Sequence, residues 1–84
     1  MYMVYGITDC PACLRAQAEL MQRNREYVFI NADFSAKYRS DIKESLRWPT
    51  FPIITKVTDE DEEDLVGGCD DLLRVLEKEQ QTPT

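Results

Sequence analysis

The chain has 84 residues, with 16 acidic and 10 basic side chains for a net charge of −6, and it contains no histidine. A chain of this length forms one small domain, and its negative charge argues against nucleic-acid binding, which depends on clustered lysine and arginine. The absence of histidine removes the commonest general base and the commonest metal ligand.

No apolar run approaches the roughly 20 residues of a membrane span, and residues 1–5 lack the basic start of a signal peptide. We therefore expect a cytoplasmic protein that does not contact a membrane. We also expect it to be a monomer. Thiols are kept reduced in that compartment, so closely spaced cysteines there indicate redox catalysis or a metal site more often than a structural disulfide.

The first predicted element is a strand over residues 1–5, which are all apolar or aromatic, as in strands from the middle of a sheet. After a loop over residues 6–9, a helix is predicted over residues 11–24. Its apolar positions recur at helical spacing and form the predicted apolar stripe. They are Leu14, Ala18 and Met21, supported by Ala16 and Leu20.

Cys10 and Cys13 stand at the junction between this strand and this helix. Pro11 suits the first helical position because its missing N–H needs no partner there, which makes Cys10 the N-cap. The N–H groups of the first turn and the partial positive charge of the helix N-terminus favour a Cys10 thiolate. Cys13 lies on the same helix face, close enough to attack a disulfide formed at Cys10.

Residues 27–30 are predicted to be a second strand of the buried type. A strand, helix, strand succession of this length implies a right-handed crossover with the two strands parallel. Ser35 is predicted to cap a second helix that ends near Leu46, with a narrow apolar stripe at Tyr38, Ile42 and Leu46.

Two prolines then interrupt regular structure, and a hairpin follows, with strands at residues 53–57 and 64–66. The acidic run 59–64 is predicted to be its solvated turn, because a calcium loop would want glycine and spaced oxygens.

Glycines 67 and 68 allow a tight turn, after which Asp70 or Asp71 is predicted to cap a last helix. The apolar face of this helix carries Leu72, Val75 and Leu76. Residues 80–84 are predicted to be a flexible tail, which leaves one domain over residues 1–79. The element order β-α-β-α-β-β-α predicts an α/β fold, with a four-stranded mixed sheet flanked by three helices and the first and third strands in its centre.

Three separated motifs resemble those of the glutaredoxins, members of the thioredoxin superfamily, over essentially the whole chain. They are C-P-A-C at residues 10–13, T-F-P at 50–52 and G-G-C-D-D-L at 67–72. A lone C-x-x-C is a weak signal, but the three in this order at this spacing are specific. The opening V-Y-G is also similar to the small bacteriophage-type members. The resemblance implies a thioredoxin-like fold and a glutathione-dependent thiol–disulfide oxidoreductase.

The resemblance also implies a glutathione-binding groove opposite the cysteines. It implies a cis Phe51–Pro52 bond whose backbone pairs with an extended substrate peptide. Glycines let the chain pass close to a ligand, and the first N–H groups of the last helix form an anion site, which the family uses for the γ-glutamyl carboxylate. The Asp70 carboxylate would then face the ligand's ammonium group. The implied glutathione-binding residues are Thr50, Phe51, Pro52, Gly68, Cys69 and Asp70, with Ala12 beside them.

Two family positions differ in this chain. Ala12 replaces the tyrosine of C-P-Y-C, and Ile7 replaces the lysine that often lies three residues before the first cysteine. Asp9 adds a negative charge beside Cys10, so we expect a Cys10 thiol that is less acidic than is usual in the family. Without that lysine, the glycyl carboxylate of glutathione is expected to contact Arg39 or Arg47.

The expected reaction is the reduction of protein disulfides and glutathione mixed disulfides by catalytic residues Cys10 and Cys13, with glutathione as co-substrate and no tightly bound cofactor or metal. The resemblance suggests ribonucleotide reductase as one protein substrate. One alternative is a glutaredoxin-like protein reduced by thioredoxin reductase. A non-enzymatic alternative is a scaffold for a metal ion or for an iron–sulfur cluster held with the help of glutathione. Structural zinc would want four ligands, and the chain supplies three thiolates and no histidine. Cys69 is expected to act through its backbone N–H, and Cys69→Ser to be nearly silent.

Overall fold

The computed structural model describes the backbone of residues 1–81 and the side chains of residues 1–79. Within this part of the chain, four strands and three helices follow one another in the predicted order. They are β1 (Tyr2–Gly6), α1 (Pro11–Gln22), β2 (Tyr27–Asn31), α2 (Ala36–Leu46), β3 (Ile53–Val57), β4 (Glu63–Gly67) and α3 (Cys69–Gln81). Among the described residues, no helix has the length and apolar character that a membrane crossing requires.

The four strands form one mixed sheet in the order β2-β1-β3-β4. β1 is parallel to β2, with Tyr2 opposite Tyr27, and antiparallel to β3, with Val4 opposite Ile54. β3 and β4 are antiparallel neighbours. The predicted fold class, the parallel first pair and the central position of β1 and β3 are therefore confirmed.

The main core lies where α1 and α3 pack together against β1 and β3. Because side chains alternate along a strand, Tyr2 and Val4 enter this core while Met3 and Tyr5 point to the other face of the sheet. The core residues are Tyr2, Val4, Ala16, Leu20, Ile54, Cys69, Leu72 and Leu76. The predicted apolar face of α3 is thus confirmed at its two buried leucines.

The buried face of α1 differs from the predicted one. Leu14 is 65% exposed and Met21 is 60% exposed, and the buried residues are Cys13, Ala16 and Leu20. Both sets recur at helical spacing, so the periodicity alone does not choose between them. The N-cap at Cys10 sets the rotation of the helix so that Cys13 faces inward, and the small Ala16 lets α1 lie close to the sheet. The helix also ends at Gln22, two residues earlier than predicted.

The prediction that β2 is of the buried type is wrong. Within the described residues, β2 is an edge strand that pairs only with β1, and Val28 is 42% exposed. An apolar run marks a strand that can be buried, but only its place in the sheet decides whether both faces are covered.

α2 begins and ends as predicted. Its N-cap is Ser35, whose hydroxyl oxygen accepts a hydrogen bond from the Tyr38 N–H at 3.3 Å, and the helix ends at Leu46, before Arg47 with φ 55°. The predicted stripe of Tyr38, Ile42 and Leu46 is half-buried, and no residue of α2 is fully buried. This helix therefore contributes no residue to the main core.

The acidic run forms the predicted hairpin turn. The Thr58 N–H donates to the Glu62 carbonyl at 2.8 Å, and the Thr58 hydroxyl accepts from the N–H groups of Glu60 and Glu62. The end of the run, Glu63 and Asp64, lies in β4, which is one residue longer at each end than predicted. Charges on an edge strand oppose pairing with another sheet edge.

The prediction that Asp70 or Asp71 caps α3 is wrong, because the helix begins at Cys69. The N-cap is Gly68, whose carbonyl accepts from the Leu72 N–H at 3.0 Å, and Asp70 and Asp71 follow inside the first turn. The Asp71 carboxylate accepts a hydrogen bond from the Gly68 N–H at 3.1 Å, which is the acidic half of a capping box. Gly67 has a φ of 122°, a conformation that favours glycine.

The predicted tail falls partly on α3 and partly outside the described residues. Residues 80 and 81 belong to α3, which ends at Gln81. Residues 82–84 lie outside the described part of the chain, so a flexible tail there and the domain boundary at residue 79 stay predictions.

The Glu79 carboxylate, near the end of α3, contacts three other segments at the end of the sheet that lies away from the cysteines. Glu79 accepts hydrogen bonds from the Tyr2 hydroxyl at 2.6 Å and the Lys56 ammonium at 3.0 Å, and it forms an ion pair with Arg25 at 3.1 Å. Burial acts to raise the pKa of Glu79, but the hydrogen bonds from Tyr2 and Lys56 and the positive charges of Lys56 and Arg25 outweigh it. The pKa of Glu79 is therefore lowered.

Glu79→Gln should lower the free energy of unfolding at neutral pH by about 1 to 2 kcal/mol, because it removes the charge that these donors stabilise. A lowered folded-state pKa stabilises the native state above the unfolded-state pKa, and this contribution is lost as pH falls through the folded-state value. Urea unfolding should therefore show the stability gap between wild type and Glu79→Gln shrinking below about pH 4. Glu77→Gln is the control on an exposed position of α3. An equal loss in that variant, or a gap that does not depend on pH, would contradict this role.

Candidate redox site

Cys10 and Cys13 form a disulfide at the start of α1, with their Cα atoms 5.2 Å apart. Cys10 is the N-cap, and its carbonyl accepts the first helical hydrogen bond from the Leu14 N–H at 3.1 Å. The Cys10 sulfur accepts a hydrogen bond from the Cys13 N–H at 3.2 Å. The prediction that Cys10 is the N-cap and Pro11 the first helical residue is confirmed.

The two sulfur-bearing residues differ in exposure. Cys10 is half-buried, whereas Cys13 is 1% exposed and faces the core. An incoming thiol or disulfide can therefore approach Cys10 more readily than Cys13. This asymmetry suits the expected roles of an attacking sulfur and a resolving sulfur.

Gly6, the last residue of β1, makes room for Cys13. A Cβ at this position would lie 3.1 Å from the Cys13 sulfur and would press on the Phe29 ring. Ile7, Thr8 and Asp9 then lead to Cys10, with Asp9 at φ 55°. The strand and the helix can thus approach each other at this end of the sheet because a glycine lies between them.

A groove of about 520 Å³ opens beside the start of α1. Its walls come from α1, from the segment before β3 and from the start of α3. The lining residues are Pro11, Ala12, Arg15, Trp48, Thr50, Phe51, Pro52, Gly68, Cys69, Asp70 and Asp71. The Phe51–Pro52 bond is cis, as the family resemblance implied.

The groove collects most of the predicted binding residues. Thr50, Phe51, Pro52, Gly68, Cys69, Asp70 and Ala12 all line it. Arg39 and Arg47 do not. The Arg39 guanidinium forms an ion pair with the Asp33 carboxylate at 2.7 Å, and Arg47 lies at the end of α2. The structure therefore does not bring either arginine to the groove.

Arg15 and Trp48 also line the groove, although neither was predicted from the sequence to be a binding residue. Arg15 follows Ala12 by three residues, which places the two on one face of α1, so this spacing was a usable signal. Trp48 lies two residues before Thr50. Nothing local indicated that its ring would pack near Gly68, where a Cβ would lie 3.7 Å from the indole nitrogen.

Cys69 contributes to the groove and to the core at once. Burial raises the pKa of the Cys69 thiol; the Arg15 guanidinium opposes this, and the Asp70 and Glu19 carboxylates add to it. A thiol with a raised pKa stays protonated at neutral pH and is a poor nucleophile.

Within the described part of the chain, no group of three or more histidine, cysteine, aspartate or glutamate side chains is arranged to hold a metal ion.

The thioredoxin-like sheet with a cysteine pair at the start of its first helix agrees with comparisons to known proteins. A family model for glutaredoxin matches residues 1–59, and the chain belongs to the glutaredoxin family. It is 38% identical over 68 residues to a Rickettsia conorii protein named "Probable monothiol glutaredoxin 2". That match covers 77% of this chain but 59% of the relative, so the chain spans less than two thirds of the relative's length. The relative's name says monothiol, whereas this chain carries both Cys10 and Cys13.

Solved structures show the same fold. The solution structure of a glutaredoxin from Brucella melitensis is 31% identical, with a TM-score of 0.73 over 92% of this chain and 78% of that one. The crystal structure of a buckwheat glutaredoxin–glutathione complex also has a TM-score of 0.73, over 94% of this chain and 70% of that one. Its identity of 18% supports the fold alone.

Cys69→Ser should leave the rate of disulfide exchange within about twofold of wild type, because its thiol is protonated and faces the core. The same change should lower the free energy of unfolding by about 1 kcal/mol, since a hydroxyl replaces a well-packed sulfur. Mass spectrometry after brief treatment of reduced protein with iodoacetamide should find label on Cys10 well before Cys69. Faster labelling of Cys69 than of Cys10 would contradict this prediction.

Proposed function

We propose that the protein is a dithiol glutaredoxin, a glutathione-dependent thiol–disulfide oxidoreductase that reduces protein disulfides and glutathione mixed disulfides. The observation that carries this proposal is the Cys10–Cys13 pair at the start of α1, with the Cys10 sulfur on an N–H of the first turn and a groove beside it. The family membership supports the reaction type.

The reaction begins with the reduced pair. The Cys10 thiolate attacks one sulfur of the substrate disulfide, the substrate S–S bond breaks, and one substrate thiolate leaves. The Cys13 sulfur then attacks Cys10 in the resulting mixed disulfide and releases the second substrate thiolate. Two electrons have passed to the substrate, and the pair is left in the disulfide form seen in the structure.

Glutathione returns the pair to the dithiol state. One glutathione thiolate attacks the Cys10 sulfur, which frees Cys13 and forms a mixed disulfide. A second glutathione thiolate attacks the glutathione sulfur, which releases oxidised glutathione and the Cys10 thiolate. The N–H of Cys13 and the N-terminus of α1 stabilise that thiolate as the leaving group.

The groove is our proposed glutathione site. An extended peptide can pair with the backbone at Phe51, and the first-turn N–H groups of α3 at Cys69 and Asp70 can hold a carboxylate. The buckwheat glutaredoxin in complex with glutathione has the same fold, which supports this placement. The family resemblance suggests ribonucleotide reductase as one protein substrate. The closely spaced cysteines suit a cytoplasmic location, where thiols are kept reduced.

The test is reduction of hydroxyethyl disulfide with glutathione, glutathione reductase and NADPH, followed by NADPH absorbance. The proposal expects turnover that depends on glutathione. A second assay replaces glutathione and its reductase with thioredoxin reductase. Turnover in this assay, with none in the glutathione assay, would instead support a glutaredoxin-like protein that is reduced by thioredoxin reductase. Iron in the freshly purified protein would support the cluster scaffold.

Cys10→Ser should lose both the reduction of protein disulfides and the removal of glutathione from glutathionylated protein. Cys13→Ser should lose the first activity by at least about 100-fold but keep the second, because glutathione itself can resolve a mixed disulfide at Cys10. Insulin reduction and deglutathionylation of a glutathionylated peptide measure the two activities. Loss of both activities in Cys13→Ser would show that the buried sulfur does more than resolve.

A further inference from the structure

One side of the β2 backbone is bonded to β1, and the bonds at the two ends of β2 show which residues face inward. The Glu26 carbonyl accepts a hydrogen bond from the Tyr2 N–H at 2.9 Å, and the Ala32 N–H donates to the Gly6 carbonyl at 2.7 Å. The N–H and C=O groups of one residue point to the same side of a strand, and successive residues alternate in direction. Even-numbered residues of β2 therefore face β1, and odd-numbered residues face outward.

The outward backbone groups belong to Tyr27, Phe29 and Asn31. No segment of the described chain pairs with this side of β2, which is the first strand in the order of the sheet. Val28 is 42% exposed and Phe29 is 36% exposed, so the strand is accessible at its middle. β2 is thus an open edge that can accept another strand.

β2 lacks the features that usually keep a sheet edge from pairing, which are charged residues, proline and bulges. Residues 27–31 include no charged residue and no proline, and all five pair with β1 in an unbroken register. The opposite edge strand, β4, carries Glu63 and Asp64, and its register with β3 shifts between Ile54 and Thr55. Of the two edges of the described sheet, β4 is protected and β2 is not.

An apolar stripe on α1 continues this open surface. Leu14 and Met21 are 65% and 60% exposed. The Tyr27 hydroxyl donates a hydrogen bond to the Gln17 side-chain oxygen at 3.4 Å, which marks the side of α1 nearest to β2. Leu14 lies three residues before Gln17 and Met21 four residues after it, so both lie on that side of the helix.

A second copy of the chain fits the β2 edge by symmetry. When two β2 strands pair antiparallel about Phe29, Phe29 of one copy lies opposite Phe29 of the other, and Tyr27 lies opposite Asn31 in both directions. Since these are the outward residues, each of their N–H and C=O groups gains a partner in the second copy. On the other face of the sheet, Val28 lies opposite Ile30, so the cross-strand pairs at the centre are apolar on both faces.

The charges of the two copies do not oppose this pairing. The acidic run 59–64 lies beside β4, and the two β4 strands become the outermost strands of the joined sheet. Seven strand spacings then separate them, about 34 Å, whereas charges are screened over about 8 Å at physiological ionic strength. The same register brings Arg25 of each copy opposite Asp33 of the other, just beyond the ends of β2, where the charges have opposite sign.

We propose that the protein forms a symmetric dimer in which the β2 edges of two copies pair antiparallel about Phe29 and create one eight-stranded sheet. The two α1 helices lie on the same face of this sheet, with Leu14 and Met21 of each copy towards the other copy. The groove beside α1 opens towards α3, away from β2, so each copy keeps its own redox site. The sequence led us to expect a monomer, with β2 as a strand of the buried type.

Sedimentation equilibrium of the full chain, reduced with a phosphine to exclude intermolecular disulfides, measures this association. Wild type should show a reversible equilibrium between monomer and dimer. Val28→Lys should raise the Kd for dimerisation at least about 10-fold, because it places two positive charges at diagonal positions about 7 to 8 Å apart. Leu65→Lys is the matched control, since Leu65 is 43% exposed on the other edge strand. Its Kd should stay within about twofold of wild type.

Amide hydrogen exchange, followed by NMR at protein concentrations above and below Kd, locates the interface. The N–H groups of Tyr27, Phe29 and Asn31 should exchange at least about 10-fold more slowly in the dimer. The N–H groups of Val28 and Ile30 face β1, so their rates should change much less. This measurement uses wild type alone, so it decides the question even where Val28→Lys fails to fold.

Wild type that stays monomeric up to about 1 mM overturns the proposal, and strand addition at β2 would then fall to an extended segment of a different protein. A dimer that Val28→Lys and Leu65→Lys weaken equally also overturns it. So does a dimer whose outward N–H groups on β2 exchange as fast as those of the monomer. The redox assays proposed above do not depend on any of these outcomes.

Discussion

The candidate redox site depends on one contact, the hydrogen bond from the Cys13 N–H to the Cys10 sulfur at the N-terminus of α1. The sulfur takes the place that serine or aspartate oxygens usually fill as helix caps, so the same atom completes the helix and carries the chemistry. A thiolate at this position satisfies the unpaired N–H groups better than a thiol does. Redox state and local helix stability are thereby coupled at one residue.

The fold brings two other segments, distant in sequence, to the groove beside the start of α1. The segment before β3 supplies the cis Phe51–Pro52 bond, and the start of α3 supplies N–H groups and the Asp70 carboxylate. β1 and β3 are neighbours in the centre of the sheet, so the loop after β1 and the segment before β3 meet at the same sheet end. The antiparallel pairing of β3 with β4 then returns the chain to that end, where α3 begins.

Charge distinguishes this groove from the rest of the surface. Acidic groups are in excess overall, and the opposite end of the sheet is held by a carboxylate among three donors, Tyr2, Lys56 and Arg25. Near the groove, no carboxylate among the described residues forms an ion pair with Arg15 or Lys43. The first arrangement stabilises the fold internally, whereas the second leaves two positive side chains without an acidic partner in the described part of the chain.

The sequence by itself determined the element order, the cap at Cys10, the cap at Ser35 and the residues of β3, because turn, cap and proline preferences act over a few neighbouring residues. Through the family motifs it also predicted the segments that meet at the groove. Only the tertiary structure decided that α1 buries Cys13, Ala16 and Leu20 rather than Leu14 and Met21, since both stripes have helical spacing. It also decided that β2 is an exposed edge and that Arg15 and Lys43, not Arg39, lie near the groove. Those outcomes depend on contacts between segments distant in the chain, which local periodicity does not encode.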